Sequence, residues 1–127
     1  MPITGTVVRG SVVWMNLYPQ SGHEQAGYRP AIVISDGLID SSVSHLAFIV
    51  PITNQPKGYA FEVPVPPGIP INGDLVGTIY TQLTGVASTD HAKSLDLNAR
   101  NATVIGQVPP NSSFYQQVVT YVRAILA

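Results

Sequence analysis

Short apolar runs alternate with turn residues along the whole chain. In residues 11–18, Val13, Met15 and Leu17 fall on one side of an extended segment, and Val12, Trp14 and Asn16 fall on the other. A polar loop with Pro19, Gly22 and Gly27 follows. Residues 29–35 then carry the continuous run Pro30-Ala31-Ile32-Val33-Ile34, the pattern of a buried strand. Pro30 lacks an N–H, so it opens that strand or lies on an edge. Residues 36–42 read as a turn and residues 45–52 as the next buried run. Gln55-Pro56-Lys57-Gly58 is a turn, and residues 59–63 are a strand. Residues 64–70 hold four prolines, too many for a helix or a central strand. Residues 75–80, 86–90 and 102–108 are further strand candidates. One helix is predicted, after Pro109-Pro110, capped by Asn111 or Ser112. Phe114, Val118, Val122 and Ile125 share one of its faces and dock on the rest. Many short strands, eleven Gly and eleven Pro predict a mainly β barrel or sandwich.

A chain of 127 residues makes one domain, 1–127. Only 10% of the residues are charged, where globular chains average about 25%, and the net charge is −1. A diffusely basic nucleic-acid binder is excluded, so any polyanion must be held by a few placed cations. There is no cysteine, which removes a disulfide scaffold, a thiolate metal site and a Cys nucleophile. No run of eighteen apolar residues and no signal-peptide pattern occurs, and the expected compartment is the cytoplasm, with no membrane association.

Three polar clusters can carry chemistry. The densest is His23-Glu24-Gln25-Ala26-Gly27-Tyr28-Arg29-Pro30. It reads either as a solvated loop with a local Glu24–Arg29 ion pair, or as an anion site, since a guanidinium fork matches a phosphate. Thr53, in Pro51-Ile52-Thr53-Asn54-Gln55, either caps a turn or offers its hydroxyl to a phosphate oxygen. Asp90-His91-Ala92-Lys93-Ser94-Leu95-Asp96, taken alone, is an exposed loop. The three histidines, His23, His45 and His91, have no metal-ligand spacing, and His45 reads as half-buried structure. No metal and no cofactor is expected.

Taken in order, these clusters resemble the MazF/PemK-like family of toxin–antitoxin toxins, the mRNA interferases. The resemblance is carried by Arg9-Gly10-Ser11-Val12-Val13-Trp14, by Glu24-Gln25-Ala26-Gly27-Tyr28-Arg29-Pro30, by Pro51-Ile52-Thr53, by Lys57-Gly58-Tyr59-Ala60-Phe61-Glu62-Val63 and by the cluster at residues 90–96. The stretch from Ala99 through Pro109 and the terminal helix also match, so nearly the whole chain is covered. The resemblance implies an SH3-like small barrel of the MazF/CcdB type with a C-terminal α-helix, acting as a homodimer. It implies ribosome-independent, metal-independent cleavage of single-stranded RNA at short sequences. Arg29 and Thr53 take the positions of the family's catalytic arginine and threonine, and Glu24 that of the acidic residue beside them. Trp14, Gln25, Tyr28, Lys57, His91 and Lys93 fall where the family binds RNA. The expected products are a 2′,3′-cyclic phosphate and a 5′-OH, and the expected partner is a cognate acidic antitoxin that occupies the RNA groove.

Four of the six cations, Arg29, Lys57, Lys93 and Arg100, lie in matching segments, which suggests charge concentrated where RNA lies. Leu97 stands where relatives often carry Trp. Residues 66–82 look inserted, and a surface loop is the simplest expectation for them. Two other functions compete: a non-catalytic poison of the same fold acting on a protein such as DNA gyrase, and a degenerate member that only binds RNA or protein. The retained Arg29 and Thr53, and a C-terminus without Trp, favour the nuclease.

Overall fold

The computed structural model describes residues 3–17 and 27–126. Its first strand, β1 (Ser11–Asn16), pairs antiparallel with β2 (Tyr28–Val33). The alternation read in β1 is what the fold uses. Val13 and Met15 enter one apolar cluster with Ala31, Val33 and Ile49, and Val12 enters another with Ile32, Val50 and Ile52. Both faces of the sheet are therefore covered. Met15, Ile32, Ile49, Ile52 and Leu97 are fully buried, and each such side chain contributes about 1.5–3 kcal/mol relative to exposure. Leu97 fills the second cluster, a core position rather than a groove position.

β3 (Leu46–Thr53) is the hub. Its Ile49–Pro51 stretch pairs with β2 on one side. On the other side it pairs with β5 (Val86–Ser88) and β6 (Lys93–Asp96), with β4 (Glu62–Pro64) outside β5. β5 and β6 form one antiparallel course along β3, interrupted by a 3-10 turn at Thr89–His91. β7 (Thr103–Gln107) pairs with β1, giving the order β4-β5-β3-β2-β1-β7. Pro30 sits inside β2 opposite Trp14, but the β2–β3 ladder starts only at Ala31. It thus occupies a local edge, where a missing N–H costs no ladder bond.

The segment 66–82 is not the expected surface loop. It extends the β4–β5 pair into a long irregular hairpin. The Val65 amide donates to the Gly85 carbonyl (2.9 Å), Leu83 to Ile69 (2.8 Å) and Ile71 to Thr81 (3.0 Å). Its tip reaches β7, where Ile71 bridges Gly106 and the Asn72 amide donates to the Ile105 carbonyl at 2.7 Å. The row of strands thereby returns on itself as a small barrel, with Ile69 and Leu83 in its core. Gly106 is required by this closure, because an added Cβ would lie 2.8 Å from the Pro70 carbonyl oxygen.

Four further expectations change. Residues 75–80 are not a strand: a 3-10 turn at Gly73–Val76 ends at Gly77 in the left-handed region, which stops extended pairing. Residues 93–96 are not a loop but β6, whose pairing with β3 runs through backbone and needs no apolar pattern. The strand expected from residue 59 begins at Glu62, since Tyr59 and Phe61 stay exposed. His45 is exposed rather than half-buried, at the solvent end of β3.

The helix α1 (Ser113–Leu126) starts where expected. The Ser112 hydroxyl accepts the Tyr115 N–H at 3.2 Å, which satisfies one free amide of the first turn. Phe114, Tyr115, Val118 and Val122 are buried on the barrel, and the Tyr115 hydroxyl donates to the Ile34 carbonyl at 3.2 Å. Ile125 does not dock. It is 41% exposed, because the last turn runs past the apolar cluster.

Candidate active site

The register of the β2–β3 ladder pairs Ala31 with Pro51. Arg29 lies two residues before Ala31 and Thr53 two residues after Pro51, so both flank the same end of that ladder, each on the face of its paired neighbour. Both residues line one open cavity of about 510 Å³. β1 contributes Trp14, paired with Pro30, and β2 contributes Tyr28. The turn after β3 contributes Gln55 and Lys57. The 3-10 interruption between β5 and β6 turns Asp90 and His91 toward the same space, with Lys93 beside them.

Thr53 is held at a strand end by its own turn. Its hydroxyl oxygen accepts the Gln55 N–H at 3.1 Å, the geometry of a Thr turn. With that lone pair taken, the hydroxyl hydrogen remains to donate to an anion. The next residue is fixed as well: the Thr84 hydroxyl donates to the Asn54 side-chain carbonyl at 3.0 Å. Gly85 passes behind both with φ of 108°, and an added Cβ there would collide with the Thr53 carbonyl oxygen. Only glycine suits this backbone and this contact.

Lys57 is positioned by a carboxylate. Glu62 accepts the Lys57 N–H (3.0 Å) and the Gly58 N–H (3.0 Å), so the loop between β3 and β4 is closed onto the first residue of β4. Arg29 is exposed, and its Nη1 donates to the Tyr28 carbonyl at 2.8 Å. Facing these cations in the cavity are Glu62 and Asp90, and His91 approaches Asp90 at 4.0 Å.

The structure therefore brings together Arg29, Thr53, Trp14, Tyr28, Lys57, His91 and Lys93. Glu24 and Gln25, with His23, lie outside the described residues. Arg100 does not join the cavity. Its guanidinium donates to the Asn16 and Leu17 carbonyls at 3.2 and 3.1 Å and fastens the end of β1. Sequence reasoning missed Tyr80, Gln82 and Ile71, which form a further wall of the cavity. It also gave no role to Glu62. No spacing signal marks the wall residues, since only barrel closure brings them in. Glu62 carried a signal, a lone acid following a Lys-Gly turn. Among the described residues, no group of three or more His, Cys, Asp or Glu is arranged to hold a metal ion. Among them also, no helix is long and apolar enough to cross a membrane.

Residues 8–126 match the family of the PemK-like, MazF-like toxin of type II toxin-antitoxin systems. The chain belongs to this family. The PemK/MazF-like sequence is 37% identical over 101 residues to the endoribonuclease toxin MazF of Escherichia coli K12, covering 80% of this chain and 78% of that protein. It is 31% identical to the endoribonuclease PemK of Escherichia coli, covering 80% of this chain and 69% of that one. Among solved structures, MazF of Deinococcus radiodurans superposes with a TM-score of 0.72 at 33% identity, over 96% of this chain and 97% of that one. A MazE–MazF structure from the same organism gives 0.74 at 32% identity, over 96% of each chain.

Proposed function

We propose that this PemK/MazF-like toxin, acting as one domain over residues 1–127, is a sequence-specific endoribonuclease that cuts single-stranded RNA. The observation that carries this reading is that Arg29 and Thr53, just beyond the same end of the β2–β3 ladder, line one cavity that also holds Lys57 and Lys93. RNA brings its own nucleophile, so the enzyme's task is to position and to stabilise charge. The 2′-OH gives up its proton as its oxygen attacks the adjacent phosphorus, the bond from phosphorus to the 5′-oxygen breaks, and that oxygen takes up a proton, so no water is consumed. The products are a 2′,3′-cyclic phosphate and a 5′-OH. Charge grows on the non-bridging oxygens, where the Arg29 guanidinium and the Thr53 hydroxyl stabilise it. By the family resemblance, Glu24 is the acidic residue that acts with them. Trp14, Gln25, Tyr28, Lys57, His91 and Lys93 bind the strand.

The same groove accepts an acidic segment of a cognate antitoxin, and the working form is a homodimer in the cytoplasm. The similar Deinococcus radiodurans structure contains MazE with MazF, which supports an antitoxin partner here. The gyrase-poison reading has no support, since the curated relatives at 31–37% identity carry endoribonuclease names.

The test is cleavage by the purified protein. Single-stranded RNA is expected to be cut in the presence of chelator, and the same strand with 2′-H at the cut is expected to survive. Arg29→Ala is expected to lower the rate about 10²–10³-fold in a folded protein. Cutting of an all-DNA strand, or full activity of folded Arg29→Ala, would overturn the reading.

A further inference from the structure

Tyr80 sits just past the tip of the hairpin that closes the barrel, and it lines the cavity that holds Arg29 and Thr53. The residue is 58% exposed, and Ile79 beside it is 91% exposed. A tyrosine this open adds nothing to the core. Its backbone, however, is built in. The Tyr80 carbonyl accepts the Gly73 N–H at 3.2 Å, and its own N–H lies 3.4 Å from the Thr78 hydroxyl. Thr78 in turn donates its N–H to the Gly73 carbonyl at 3.0 Å, and Asn72 is tied to β7. Tyr80 is thus held at the cavity wall by a fixed turn rather than by a free loop. Gln82, on the same wall, is already engaged, since its side-chain carbonyl accepts the Gly68 N–H at 3.1 Å.

We infer that Tyr80 is a strand-binding residue that stacks on one unpaired base of the RNA next to the scissile phosphate. This rests on the reading of the cavity as the RNA-cleaving site. The charge around it fits a strand backbone, since Arg29, Lys57 and Lys93 supply the cations and Tyr80 supplies an aromatic face. Cations that track a backbone beside aromatics that stack bases are how proteins hold single strands. Stacking is felt equally in the ground state and the transition state, so its loss raises KM and leaves kcat in place.

The experiment compares wild type, Tyr80→Phe and Tyr80→Ala. A randomised single-stranded RNA pool first defines the cut site, and oligonucleotides carrying that site then have single bases removed in turn. Tyr80→Phe is expected to match wild type within about twofold. Tyr80→Ala is expected to raise KM about five- to a hundredfold at unchanged kcat. Removing one particular base near the cut is expected to cost wild type the same factor and to cost Tyr80→Ala nothing further. Unchanged KM in folded Tyr80→Ala, or a loss that simply adds to every base removal, overturns the inference and assigns the exposed ring to a protein partner. Affinity of the intact pool is measured in parallel. If wild type binds the pool with this Tyr80 dependence but cuts nothing, the stacking stands and the cleavage reading falls.

Discussion

The geometry of Thr53 is set by neighbours that hold it from both sides. Its hydroxyl is oriented by accepting the Gln55 N–H, and its carbonyl is backed by Gly85. A Cβ at Gly85 would need both an unfavourable backbone and a shift of Thr53. Gly85→Ala is therefore expected to lower kcat/KM about a hundredfold, the usual penalty for a misplacement near 1 Å. Thr53→Val, which removes only the hydroxyl, is expected to reach a comparable loss with little change in melting temperature. Equal activity in Gly85→Ala and wild type would mean that Thr53 tolerates displacement and has no demanding geometry. Arg29 and Thr53 were legible in the sequence because each stands in a motif with its neighbours. Tyr80 was not, because no local pattern distinguishes a cavity wall from a solvated turn until the hairpin is folded back onto β7.

At the scale of elements, the two ends of the chain's order are joined by backbone rather than by side chains. Gly106 admits Pro70 and Ile71 at distances that leave no room for a Cβ. Gly106→Val is expected to destabilise the fold by about 1–3 kcal/mol through overpacking. It is also expected to speed exchange of the Asn72 amide, which donates to Ile105 across the closure. Normal protection of that amide would show that the hairpin stays on β7 by other contacts. The helix gives a control: Ser112→Ala removes the cap to Tyr115 and is expected to cost about 1 kcal/mol without changing cleavage. The same contrast explains what the sequence could reveal. β1 was readable because a period of two with both faces buried leaves a strong apolar pattern. β6 and the 66–82 hairpin were not, because Lys93, Ser94 and Asp96, or Pro70 and Asn72, contribute main-chain partners while their side chains stay outside the core.

At the scale of the whole molecule, the six cations divide by position. Arg29, Lys57 and Lys93 line the candidate active site. Arg100 is spent on the β1 carbonyls, Arg9 approaches Asp36 at 3.8 Å, and Arg123 lines a separate depression with Arg9 beside the helix. With a net charge of −1, the protein has no general field to attract RNA. On the proposed reading, phosphate neutralisation comes from the three cavity cations. Each phosphate neutralised on a single strand contributes about −0.7 to the slope of log affinity against log salt. Three contacts give a slope of about −2 for an uncleavable single-stranded RNA carrying 2′-H at the cut. Lys57→Ala is expected to make that slope shallower by about 0.7 and to weaken all sequences alike, because a phosphate contact carries no base information. Arg123→Ala, away from the cavity, is expected to leave the slope unchanged. Titrations by fluorescence anisotropy between 50 and 300 mM salt (about a sixfold range) read these values directly. A slope steeper than about −3 would mean that RNA reaches cations outside the cavity, and an Arg123→Ala variant with a reduced slope would place part of the strand on the helix face instead.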